Sequence, residues 1–179
     1  PSSPADGALW LRYWQWFYFN PVDSGIVEIS RNGGPWEALP ETQVEGAIGG
    51  VWTQALHDIS AYAGDSVRLS FHLLTNASSV AHGWYLDDIG IDEGALVFAN
   101  PDGFEGGMGD WRASNGLWHS GAPAYGITYA HTGSQCVGTV LNGNYSDNAD
   151  TRLISPSIDL PASPADGALW LRYWQWFYF

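Results

Sequence analysis

The feature that most limits what this chain can fold into is a stretch it contains twice. Residues 3–19, Ser-Pro-Ala-Asp-Gly-Ala-Leu-Trp-Leu-Arg-Tyr-Trp-Gln-Trp-Phe-Tyr-Phe, return letter for letter as residues 163–179, an offset of 160 residues. Pro1 matches Pro161, and Ser2 against Ala162 is the one difference in the overlap. This reads as two neighbouring copies of a tandem repeat: one full period followed by a second copy of its most aromatic segment. A period this long is a whole domain with its own core, not a solenoid unit that must stack on neighbours.

The repeated segment has strand periodicity. Leu9, Leu11, Tyr13, Gln15, Phe17 and Phe19 fall on one face, and Trp10, Arg12, Trp14, Trp16 and Tyr18 on the other. With aromatic side chains on both faces, it belongs in the middle of a sandwich, or has one face on the core and the other on a partner or ligand. Asn20 to Gly25 is turn chemistry, 26–30 a short strand, and Arg31-Asn32-Gly33-Gly34 a hairpin signal. Further strands are predicted at 51–56, 67–74, 83–91 and 96–99, with shorter ones around Trp118, over 127–130 and over 136–141. A one-turn connector stopped by Gly64 separates 51–56 from 67–74. Short strands with turn residues between them predict an all-β sandwich.

Composition narrows the partners. The six basic residues are all arginine and face 19 acidic ones, a formal charge of −13. Nucleic acid and anionic membrane both need clustered positive charge, so neither is an expected partner. No run approaches the ~20 apolar residues of a membrane span, because Arg12 interrupts the longest one. A single cysteine, Cys136, excludes an internal disulfide; it is either a small core residue or a link to a neighbour.

Two ordered sets of residues carry a family resemblance. The first is Leu153-Ile154-Ser155-Pro156-Ser157-Ile158-Asp159-Leu160 followed by 169–177. The second is 24–36 (Ser-Gly-Ile-Val-Glu-Ile-Ser-Arg-Asn-Gly-Gly-Pro-Trp), then Asp58-Ile59-Ser60-Ala61-Tyr62-Ala63-Gly64, then Gly83-Trp84-Tyr85-Leu86-Asp87-Asp88-Ile89. Together they resemble the MAM-like jelly-roll modules that accompany immune-inhibitor-type metallopeptidases and repeat in large bacterial surface proteins. The resemblance implies a jelly-roll β-sandwich and also its phase, since in such modules "F-E-x-G" opens the domain and "W-Y-I-D-D-I" closes it. Residues 1–94 then correspond to the C-terminal part of one module and 95–179 to the N-terminal part of the next. The period is cut in mid-domain, so 1–160 can close as one permuted sandwich with 163–179 as a linking strand.

The resemblance further implies a structural Ca2+ held by the opening Glu105 and the closing Asp87 and Asp88. Adjacent carboxylates inside an apolar strand are costly without a cation, which agrees with that expectation. Trp10, Trp14 and Trp16, with Trp170, Trp174 and Trp176 in the second copy, are candidates for ligand or inter-unit contact, either stacking on sugar rings or packing against a neighbour. Leu169, Leu171, Tyr173, Phe177 and Phe179 form the candidate inter-unit strand. The five histidines include no His-Glu-x-x-His, and no Gly-x-Ser-x-Gly elbow or phosphate loop occurs, so no enzyme is expected. The expected role is a structural or adhesive repeat of an extracellular or surface fibre, whose partners are neighbouring copies of itself. The alternative is a glycan-binding accessory module of a larger secreted enzyme.

Overall fold

In a computed structural model, which describes residues 7–48, 50–77, 79–162 and 167–178, the first copy of the repeated stretch becomes strand β1 (Leu9–Tyr18). Its burial alternates residue by residue. Leu9, Leu11, Tyr13, Gln15 and Phe17 are buried, and Trp10, Arg12, Trp14 and Trp16 are half-buried on the opposite face. β1 is the central strand of a three-stranded antiparallel sheet, between β5 (Thr53–Asp58) and β7 (Gly83–Glu93).

The second sheet is built on β2 (Ser24–Arg31). β6 (Val67–Leu74) pairs with it along one edge, and β3 (Trp36–Ala38) and β4 (Val44–Glu45) share the other. The β2–β3 hairpin turns on Asn32 (φ 51°) and Gly33 (φ 77°), which supply the two positive φ values of a type I′ turn. Between the two sheets lies the main core: Leu9, Leu11 and Tyr13 from β1 meet Val27 and Ile29 from β2, with Phe71 from β6 and Trp84 from β7 packed against them. Burying four large β1 side chains, Leu9, Leu11, Tyr13 and Phe17, contributes on the order of 10 kcal/mol before ordering costs.

The remaining strands are short pairs, β8 (Arg112–Ser114) with β11 (Arg152–Ile154) and β9 (Trp118–Gly121) with β10 (Cys136–Thr139). The β9–β10 pair is tied to the sandwich by a second cluster in which Phe17, Phe19, Val44 and Ile48 meet Leu117 and Val140, and β8 by the 3.0 Å hydrogen bond from Arg112 to the Leu56 carbonyl. At its centre the backbone of Gly116 touches Ile48, where a Cβ would lie 1.8 Å from Ile48 Cγ2. The architecture is all-β and antiparallel throughout, with no α-helix among the described residues.

The structure departs from the sequence expectation in several places, among them three in the predicted strands. β5 runs on to Asp58, so His57 lies inside a strand and not in the connector, which shrinks to one 3-10 turn at Ser60–Tyr62. No strand forms at 96–99, where Phe98 packs its ring on Trp111. Over 127–130 only an isolated bridge, Tyr125 to Ile127, is present. The short apolar runs at the last two find no partner strand to complete a ladder.

Candidate functional site

The most unusual chemistry in this molecule is one sequence held in two environments. As β1, the repeated stretch fills a slot with specific demands. On its inner face the Tyr13 hydroxyl lies 3.2 Å from His57 Nε2, and Gln15 Oε1 accepts a 3.1 Å hydrogen bond from the Trp84 indole. On its outer face the Arg12 guanidinium pairs with Asp92 of β7, donates 2.8 Å to Asp110 Oδ1, and donates 2.9 Å to the Gly109 carbonyl. Gln54 of β5 reaches the same segment, donating 2.9 Å to the Gly109 carbonyl and 3.0 Å to that of Trp111. Residues 109–111 therefore close over the outer face of the first sheet.

The second copy makes none of this ladder. Residues 168–178 carry no strand assignment, and Leu171 is 83 % exposed where Leu11 is fully buried. Leu169, Tyr173 and Phe177 are exposed as well. The segment is held by aromatic contacts: Trp174 stacks on His131 at 3.9 Å between ring centroids, and Trp176 lies over Gly126, where a Cβ would come within 2.5 Å of the indole. Trp170 is exposed. Phe179, named with the inter-unit strand, lies outside the described residues.

The tryptophans of the first copy are less available. Trp10 donates its indole N–H to the Gly94 carbonyl at 3.0 Å, and Trp16 is edge-packed by His82 and Tyr85. Trp14 is half-buried beside Asp87. No open row of three rings results on β1. Instead a cleft of about 440 Å³ opens at one end, lined by Trp10, Arg12, Asp92, Glu93 and Asp110 among others.

The carboxylates of the expected calcium site do not gather. Asp87 and Asp88 sit where the β1–β7 register slips between Arg12 and Trp14, so that β7 carries an extra residue opposite β1. Asp88 takes a positive φ of 48° and donates its N–H to Asp87 Oδ1 at 2.8 Å. The bulge turns both side chains to solvent, and the burial that made the pair costly is absent. Glu105 is engaged elsewhere. It accepts from Ser134 N–H (3.0 Å), the Ser134 hydroxyl (2.9 Å) and Gln135 N–H (2.9 Å), and these bonds, Gln135 first, hold its carboxyl below the usual range. Among the described residues no three His, Cys, Asp or Glu side chains lie where they could share a metal ion. The donor set thus does not fit Ca2+.

Sequence reasoning passed over one buried polar cluster. Burial pushes His57 down to about 4, with the Arg112 charge adding to the effect, and burial also raises the Tyr13 phenol. His57 Nδ1 has no hydrogen-bond partner. The signal was faint: a histidine next to an aspartate resembles a turn, and only the pairing with β1 buries it. Cys136 is half-buried in β10, and burial raises its thiol, which disfavours the thiolate.

Over 75 residues the chain is 39% identical to Bacillopeptidase F of Bacillus subtilis (strain 168), a span covering 41% of this chain and 5% of that protein. The chain thus matches only a small part of that relative's length. No family model and no solved structure matches it.

Proposed function

We propose that this chain is a non-catalytic structural repeat of a larger secreted or surface protein, in which successive units are joined through the repeated aromatic segment. The observation that carries the reading is the contrast between the two copies: the same residues are a buried central strand in one and an exposed segment with no strand assignment in the other. In an array the second copy is the first strand of the following unit. It then buries the same inner face, and the link between units is the run of chain from β11 into that strand. The match to a small part of a much larger protein supports a module of a larger polypeptide. The absence from the sequence of the usual hydrolase motifs accords with a role other than catalysis.

The test is a polypeptide of two consecutive periods studied by hydrogen exchange. Backbone amides equivalent to 170–177 at the junction are expected to become as protected as those of 10–17. Junction amides that exchange as fast as those at the end of a single period would show that the segment is not a joint.

A second reading, glycan binding, is favoured by the cleft beside Trp10. Trp10 lines it beside Asp92, Glu93 and Asp110, an indole next to carboxylates that can accept from sugar hydroxyls. Glycan-array binding that is lost in Trp10→Ala would support it, and no binding to any glycan would remove it.

A further inference from the structure

We infer that residues 169–178 are a second, interchangeable occupant of the slot that β1 fills between β5 and β7. The chain then contains two circularly permuted forms of one module. In one, 9–18 fill the slot and are joined to β2 through 19–23. In the other, 169–178 of the same chain fill it and are joined to β11 through 155–168. The inference deepens the joint proposed above and rests on it.

Identity of sequence is the first support. Leu169, Leu171, Tyr173, Gln175 and Phe177 reproduce the buried face of Leu9, Leu11, Tyr13, Gln15 and Phe17, and Arg172 reproduces the cation that meets Asp92 and Asp110. The slot reads those side chains and a register: the β7 bulge at Asp88 opposes the stretch between Arg12 and Trp14. A strand that differed at the Tyr13, Gln15 or Arg12 position would leave His57, Trp84 or the two aspartates without their partners. The second copy differs at none.

Reach is the second. The link from Ile154, the last residue of β11, to Leu169 is residues 155–168, which extend to roughly 46 Å. A domain of this size has a radius of gyration of only about 15 Å. The tether is thus longer than the diameter of the domain, and at the millimolar effective concentration of a short tether the same chain outcompetes a second copy at micromolar protein.

Balance of free energy sets how the two copies compete for the slot. The slot is already filled by an identical strand, and exchanging one copy for the other buries as much as it exposes. No net gain drives displacement while β1 is intact. Damage to the first copy therefore shifts the slot to the second.

Three variants of the full chain test this. Leu11 is fully buried, and a carboxylate there is incompatible with the core. Leu171→Asp is expected to unfold like the parent. Leu11→Asp is expected to stay folded and monomeric, with hydrogen-exchange protection moved from amides 10–17 to 170–177. The double substitution is expected to lose its cooperative transition. Loss of folding in Leu11→Asp alone would overturn the inference, as would protection remaining at 10–17, or folding seen only in a concentration-dependent dimer. The two-period experiment can succeed while this one fails, since there a covalent neighbour supplies the slot. The two readings therefore fail separately.

Discussion

At the residue scale, tertiary contacts give individual side chains properties that their neighbours in sequence do not announce. His57 is held neutral by burial and by Arg112, and its ordinary value of about 6.5 falls to about 4. The unfolded chain therefore takes up a proton before the folded one does, and stability is lost as the pH falls from about 6.5 towards 4. The full loss is on the order of 3 kcal/mol, about 2 kcal/mol of it above pH 5. His119, also lowered by burial and accepting the Leu141 N–H through Nε2, adds in the same direction. Urea unfolding between pH 7 and 5 should show a falling midpoint, with a shallower slope in His57→Gln. A midpoint independent of pH over that interval would contradict the burial. Glu105 shows a second device of this kind. Gly133 has φ 66°, and a Cβ there would stand 2.3 Å from Glu105 Oε1, so Gly133→Ala should break the grip of Glu105 on Ser134 and Gln135 and cost about 1–2 kcal/mol. Faster exchange of the Ser134 and Gln135 amides is the expected readout.

At the element scale, the alternation of β1 and the Asn32-Gly33 hairpin were legible because each depends on a local rule: period-two burial in one case, positive φ in the other. The bulge in β7 was not. In a regular strand Asp87 and Asp88 make a costly buried pair, whereas the register slip against β1 places them in solvent. The contact of Gly116 with Ile48 likewise joins residues far apart in sequence. Gly116 has φ 74° and no room for a methyl group, so Gly116→Ala should destabilise the domain by about 2–4 kcal/mol, measured by chemical denaturation. Ile48→Gly in the same chain, which removes both Ile48 Cγ2 and the Cβ 2.8 Å from the added methyl, should make the further effect of Gly116→Ala smaller than in the parent. A neutral Gly116→Ala would mean that the second cluster does not bind the β9–β10 pair to the sandwich.

At the scale of the whole molecule, a formal charge of −13 spread over an all-β domain produces self-repulsion that salt relieves. The melting temperature should rise between low and physiological ionic strength. With Glu105 satisfied by Ser134 and Gln135, and Asp87 and Asp88 solvated, a chelator at constant ionic strength should leave it unchanged; a marked drop would restore the cation expected from the resemblance. The sequence by itself determined the all-β class, the strand nature of the repeated segment and which of its faces is apolar, because these follow from side-chain period and turn chemistry. It had no means of assigning different structures to residues 9–18 and 169–178, which are the same text. Only the tertiary structure made that choice. A central strand needs an edge on each side, β5 and β7 offer one slot between them, and β1 occupies it. The second copy, identical in every propensity, is left outside because strand structure belongs to the pairing and not to the segment alone.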